Sequence, residues 1–166
     1  MFDALFTTTT EYKKLSHALS GKGACALFGL PASGRAQVYA ALCRQLDKPL
    51  CIVTPGEAEA TRFAADLNTL GIPAAVFPAR DYVLRPIEGT AREYEYRRLA
   101  VLGELIGGRL RAVAVPAEAL TQFTTPKEDF CANTRTLHAG DTLLRDDLLA
   151  ALFGAGYTRR AQVDGP

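Results

Sequence analysis

The sequence lacks an excess of charge of either sign, since its 166 residues carry 19 lysines and arginines against 18 aspartates and glutamates. Such a chain has no overall attraction for nucleic acid, so any nucleic-acid contact needs a local basic patch. The sequence also lacks an apolar run of about 18 residues, and its N-terminus has neither the basic start nor the apolar core of a secretion signal. We therefore expect a cytoplasmic protein.

Paired cysteines are absent as well. The four cysteines are far apart in the chain: Cys25, Cys43, Cys51 and Cys131. They form no C-x-x-C pair, and His17 and His138 do not stand near them at the spacing of a metal site. We predict free thiols, with no disulfide and no metal.

What the sequence does contain is typical of a globular protein. Apolar residues make up 48% of it, and its length suits one ordinary α/β domain with a substantial core, or one domain and part of a second. It does not have the low hydrophobicity of a disordered chain.

Four short apolar segments alternate with helical patterns. The segments are 24–28, 50–54, 74–77 and 111–115. Between the second and the third, Ala60, Phe63, Ala64 and Leu67 recur at helical spacing, and Thr8 with Glu11 forms a capping box for a first helix. Strands that alternate with amphipathic helices indicate a parallel sheet covered on both faces, which is a three-layer α/β sandwich.

The pattern changes after about residue 124. A short helix that starts near Pro126 is followed by a predicted exposed strand at 134–141, a helix ending at Gly154 or Gly156, and a strand at 157–163. We predict an α/β domain at 1–123 and the N-terminal part of a smaller α+β domain at 124–166. The last strand has no following partner in the sequence, so we expect this second domain to be incomplete.

A glycine-rich segment, "FGLPASGRAQVY", follows the first predicted strand. Gly29 and Gly34 have the spacing of the phosphate-binding motif G-x-x-x-x-G-K-[ST], but Arg35 and Ala36 occupy the lysine and hydroxyl positions. Ala36 has no oxygen for magnesium, and Pro31 has no N–H for a phosphate. We interpret the loop as a degenerate one, built from Gly29, Pro31, Ser33, Gly34, Arg35 and Ala36.

Two other functions compete with that interpretation. An active P-loop NTPase needs an acidic residue at the end of a neighbouring strand, where the sequence has Pro116, with Glu118 already in the next helix. A Rossmann-like binder of an anionic metabolite needs G-x-G-x-x-G, and the middle glycine is missing. A plain glycine turn between a strand and a helix accounts for the same residues, and the helix N-terminus still allows weak anion binding.

Six segments, in this order, carry a resemblance to a known family: "ALFGLPASGRAQVYAAL", "CIVTPGEAEATRFAADL", "VFPARDYVLRPI", "YRRLAVLGEL", "AVAVPAEALTQ" and "LFGAGYTRRAQVDGP". Together they resemble the N-terminal UvrB-like module of the bacterial transcription-repair coupling factors, the Mfd proteins, from about Ala26 to Pro166. These proteins release stalled RNA polymerase from damaged DNA and recruit UvrA for nucleotide excision repair.

The resemblance implies a degenerate helicase-like domain similar to UvrB domain 1a, followed by the start of a domain similar to UvrB domain 2. It implies UvrA as the partner, with RNA polymerase and DNA bound by other parts of the parent. ATP and magnesium belong to the parent's separate motor, so no cofactor and no catalytic residue is expected in this chain. The family's main UvrA contacts follow the last segment, and Arg159 and Arg160 are the nearby basic pair, either as a partner contact or as exposed strand charges.

In UvrB-like proteins an aromatic-rich hairpin clamps DNA, and here the link between Asp81 and Glu93 is too short for it. The aromatic and basic residues of this region are Tyr82, Tyr94, Tyr96, Arg92, Arg97 and Arg98. Stacking on bases is one interpretation of the tyrosines. The other is the edge of the core beside a solvated basic face.

Overall fold

The computed structural model describes residues 7–21, 23–80 and 93–160, and these divide between two compact units, Met1–Phe123 and Thr124–Pro166. The described part of the first unit has the element order α1 (Thr10–Ser20), α2 (Ala32–Gln45), β1 (Leu50–Thr54), α3 (Glu57–Thr69), β2 (Ala74–Val76), α4 (Glu93–Ile106), β3 (Ala112–Pro116) and α5 (Ala117–Leu120). The second unit contains α6 (Lys127–Asn133) and α7 (Arg145–Gly154).

The strands form a parallel sheet in the order β1-β3-β2, and β3 pairs with both neighbours. All five residues of the central strand β3 are buried. Alanines 112 and 114 pack on the face covered by α2 and α3, whereas Val113 and Val115 pack with Val101 of α4 on the other face. Helices on both faces of a parallel sheet confirm the predicted three-layer α/β class.

The helical stripe predicted for α3 is correct, because Ala60, Phe63, Ala64 and Leu67 are all buried. Helix α1 begins one residue later than predicted. Its N-cap is Thr9 and not Thr8, because the Thr9 backbone is extended and its hydroxyl accepts a 3.3 Å bond from the backbone N–H of Tyr12.

The predicted first strand, at 24–28, is wrong. Residues 23–28 are exposed and have no regular secondary structure. An apolar run forms a strand only where a neighbour completes its backbone hydrogen bonds, and no strand in the described residues pairs with it. The described part of the sheet therefore has three strands instead of four.

The described part of the second unit is helical. The helix predicted near Pro126 is present, with Pro126 as its N-cap, and α7 ends at Gly154. The predicted strand at 134–141 is not formed, and residues 157–160 of the last predicted strand are irregular. The rest of that strand lies outside the described residues. No described residue from 124 to 160 is buried, so this segment has no core of its own to hold strands.

Candidate functional site

The glycine-rich segment enters helix α2 through a turn at Gly29, whose φ of +80° lies in the left-handed region that glycine adopts without strain. Pro31 is the N-cap, and the helix begins at Ala32. In a phosphate loop the residues between the two glycines of G-x-x-x-x-G-K-[ST] form the loop around the phosphates, and the helix begins at the end of the motif. Here the second half of the motif is already the first turn of the helix.

The third and fourth backbone N–H groups of α2 have a partner within the turn. The N–H groups of Gly34 and Arg35 donate to the Pro31 carbonyl at 3.0 and 3.2 Å. A Cβ on Gly34 would lie 3.4 Å from the Pro31 ring, which is an ordinary van der Waals contact. This geometry differs from a nest of inward-pointing N–H groups that encloses a phosphate.

The two motif positions that distinguish this loop face different surroundings. The Arg35 guanidinium is half-exposed and lies 4.0 Å from Glu59 Oε1 on α3, a carboxylate that also pairs with Arg62 at 3.5 Å. Ala36 is only 3% exposed and belongs to the core cluster that contains Phe63. Ser33 is exposed on the first turn. The position that holds magnesium in a working loop is thus part of the apolar core.

The carboxyl ends of the strands have few acidic groups. Strand β3 ends at Pro116, and Glu118 lies inside α5. The Thr54 hydroxyl, at the end of β1, donates to the Gly56 carbonyl at 2.9 Å and so closes the turn into α3. Among the described residues no group of three or more histidine, cysteine or acidic side chains could hold a metal ion.

Two of the thiols have altered acidity. Burial raises the pKa of the Cys43 thiol, and the nearby guanidinium groups of Arg111 and Arg44 partly offset this effect. Burial also raises the pKa of the Cys51 thiol, although this residue lies on the exposed side of β1. A raised pKa leaves less thiolate at neutral pH and makes a nucleophilic role less favourable.

The basic and aromatic residues of α4 do not share one solvated face. Tyr96 is exposed, and Arg97 pairs with Glu93 beside the Tyr94 ring. Arg98 is 3% exposed, which corrects the prediction of a solvated arginine. Tyr82 and Arg92, and the link from Asp81 onward, lie outside the described residues.

Arg98 is a structural residue that sequence reasoning missed. Its guanidinium lies 4.1 Å from the centre of the Phe77 ring and donates to the Pro78 carbonyl, at 2.8 Å, and to Gln122 Oε1, at 3.1 Å. Gln122 is also bonded to both backbone groups of Arg80. Arg98 lies three residues before the apolar Val101 in α4. This helical spacing places both side chains on one face and was the sequence pattern that could have indicated burial of Arg98.

The predicted partner residues Arg159 and Arg160 are exposed and follow α7 in an irregular stretch. They belong to the second unit, whereas the glycine-rich turn belongs to the first. The described residues contain no helix with the length and apolar character needed to cross a membrane.

Comparison with known proteins found a similar sequence. The chain is 26% identical over 142 residues to the transcription-repair-coupling factor of Bacillus subtilis (strain 168), an alignment that covers 84% of this chain. The chain resembles a transcription-repair-coupling factor. This similarity confirms the resemblance inferred from the six sequence segments. The alignment spans only 12% of that coupling factor.

No protein-family model and no solved structure matches the chain. The likeness to the coupling factor is therefore a likeness of sequence, and the three-layer fold is supported by the arrangement of strands and helices in this chain.

Proposed function

We propose that the chain is a UvrB-like module of a transcription-repair coupling factor, and that it serves the recruitment of UvrA and regulation in transcription-coupled nucleotide excision repair. The observation that carries this proposal is the similarity to the Bacillus subtilis coupling factor over 84% of the chain. On this proposal residues 1–123 are the degenerate helicase-like domain and residues 124–166 the opening part of the UvrA-interaction domain.

The glycine-rich turn is, on this proposal, a structural connection that binds no nucleotide. The start of α2 at Ala32 and the burial of Ala36 support it, because both remove parts that a phosphate–magnesium site needs. ATP and magnesium then act in the parent's motor, outside this chain. RNA polymerase and DNA are bound by other parts of the same parent.

Isothermal titration calorimetry with Mg-ATP tests the turn. We expect no saturable binding tighter than about 10 μM, which corresponds to about −7 kcal/mol. Saturable binding below that concentration, lost on Gly34→Val, would support the alternative of an active P-loop NTPase. Binding of a small anionic metabolite at the same turn, measured in the absence of nucleotide, would support the Rossmann-like alternative.

Binding of UvrA tests the partner. The exposed Arg159 and Arg160 are candidate contacts in the second unit. We expect Arg159→Glu or Arg160→Glu to weaken UvrA binding by about ten-fold, as charge reversal at a contact does. Lys127→Glu is the matched control, because Lys127 is an exposed cation of the same unit. Equal effects of all three reversals would place the contact elsewhere.

Duplex DNA gives a further test of the module's role. The net charge of +1 provides little attraction for phosphates, so we expect weak binding with a shallow salt dependence. Fluorescence anisotropy at physiological salt measures it. Sub-micromolar affinity for duplex DNA would contradict a module that acts through proteins.

A further inference from the structure

A cavity of about 570 Å³ lies between helices α1 and α2, away from the glycine-rich turn. Its size falls within the range of small-molecule sites in proteins, about 300–1,000 Å³. Among the described residues three basic side chains line it, Lys13 and His17 from α1 and Arg44 from α2, and none of the described lining residues is acidic. The wall therefore has the charge that an anionic ligand requires.

The two helices hold this wall in place. The Tyr12 ring packs with Val38 and Leu42 of α2, and its hydroxyl donates to Gln45 Oε1 at 3.0 Å. Arg44 donates to the carbonyl of Leu70, at the end of α3, at 2.5 Å. The Arg44 side chain is thus anchored beside the cavity, which lowers the entropy cost of binding a ligand there.

Ser16 provides a second, independent sign of a ligand site. It is 7% exposed and lines the cavity, and within the described part of the chain its hydroxyl makes no hydrogen bond. Among the described residues no side-chain oxygen or nitrogen is both fully buried and without a hydrogen-bond partner. The Ser16 oxygen has no partner and is therefore not fully buried, so it is accessible from the cavity. A nine-tenths buried hydroxyl that faces a basic cavity is suited to donate to a ligand oxygen.

We propose that the α1–α2 cavity binds a small phosphate ester. Lys13, His17 and Arg44 surround the phosphate, and the Ser16 hydroxyl donates to one of its oxygens. Charge-assisted hydrogen bonds of this kind are stronger than neutral ones. The cavity is larger than a phosphate ion, so it has room for the rest of the ester. The polar residues Ser20 and Gln45 also line it and suit the polar part of such an ester.

The test uses glucose 6-phosphate as the probe on the whole chain, followed through amide shifts in two-dimensional NMR spectra. We expect saturable shifts confined to residues 12–20 and 41–45. Glucose itself should cause none, and inorganic phosphate should compete with the ester because the phosphate group is the part recognised. Lys13→Gln should weaken binding by about ten-fold or more.

Lys14→Gln is the matched control, since Lys14 is the adjacent lysine of α1 and does not line the cavity. It should change the affinity by less than about two-fold. Ser16→Ala, a small change that keeps the helix, should also weaken binding, and unchanged shifts elsewhere show that each variant is folded.

Absence of saturable shifts up to about 20 mM probe would overturn the proposal, as would equal losses from Lys13→Gln and Lys14→Gln. Shifts centred on residues 29–36 would contradict this site. They would also contradict the proposal that the glycine-rich turn binds no nucleotide. Failure at the cavity alone would leave the UvrA and Mg-ATP experiments unaffected, so the two proposals fail separately.

Discussion

Arg98 is the clearest case of a single residue that organises its surroundings. Its guanidinium contacts the Phe77 ring and reaches the carbonyl of Pro78 and the side chain of Gln122. These groups connect the segment after β2 with the end of the first unit. A planar guanidinium donates to several acceptors and stacks on an aromatic ring at the same time, whereas a lysine ammonium does not.

We predict that Arg98→Met lowers the free energy of unfolding by about 2–3 kcal/mol, because charge-assisted bonds and a desolvated cation–π contact are lost. Urea denaturation measures it. Arg97→Met is the control, since that side chain makes an exposed pair within α4 and should cost less than about 0.5 kcal/mol. Equal losses from the two variants would show that Arg98 has no special role.

The thiols give a second prediction at the scale of residues. Cys25, Cys51 and Cys131 are exposed and Cys43 is buried. Iodoacetamide near neutral pH should modify Cys25 and Cys131 before Cys51, and Cys43 last. Burial raises the pKa of Cys51 and of Cys43, so the reactive thiolate of each forms only as the pH rises toward that higher value.

Mass spectrometry of timed samples reports the order. The rate at Cys51 should increase about ten-fold per pH unit below its pKa, and all four thiols should react together in denaturant. Modification of Cys43 before Cys51 in the folded protein would contradict the described burial.

At the scale of elements, the start of helix α2 decides what the glycine-rich turn is able to do. The helix begins at Ala32, and its next turn places Ala36 against the sheet and α3. Restoring the motif's residue types therefore does not restore the motif's geometry.

We predict that Arg35→Lys with Ala36→Ser does not produce Mg-ATP binding tighter than about 10 μM. It should instead lower the free energy of unfolding by about 1–3 kcal/mol, because a hydroxyl is buried in an apolar cluster. Calorimetry and thermal unfolding measure the two effects. Arg35→Lys alone is the control, since Arg35 is half-exposed and its replacement should change stability little.

Tight ATP binding by the double variant would show that the turn is a phosphate loop that lacks only two side chains. Unchanged stability would show that position 36 does not pack as described.

At the scale of the whole molecule, burial is concentrated in the first unit. The four buried apolar clusters in the described part of the chain consist of residues between Tyr12 and Ala119, and no described residue from 124 to 160 is buried. Because burial of apolar surface provides most of the folding free energy, stability should come almost entirely from Met1–Phe123.

We predict that a fragment of residues 1–123 unfolds in one cooperative transition within about 2 °C of the whole chain. Differential scanning calorimetry compares the two proteins. Leu67→Ala in both serves as the control, because Leu67 is fully buried in the first unit. The substitution should lower the free energy of unfolding by about 2–5 kcal/mol in each. A drop of more than about 5 °C for the fragment would show that residues after 123 contribute to the core.

The sequence by itself determined the elements whose pattern is local. The apolar residues of α3 repeat at helical spacing and are buried, and β1 occupies the predicted residues 50–54. Such periodicity reflects one face of a single element turned toward a core, so no knowledge of distant residues is needed. The resemblance to the coupling factors also came from sequence, through the order of its segments.

Only the tertiary structure decided features that depend on residues far apart in the chain. Residues 24–28 have the composition of a strand, but no described strand pairs with them. Ala36 enters the core because α3 packs beside α2, and Arg98 is buried because acceptors 20 and 24 residues away meet its guanidinium. The basic cavity likewise exists only where α1 and α2 pack together. Strand pairing, burial of charge and cavities are properties of contacts between elements, which a local pattern does not specify.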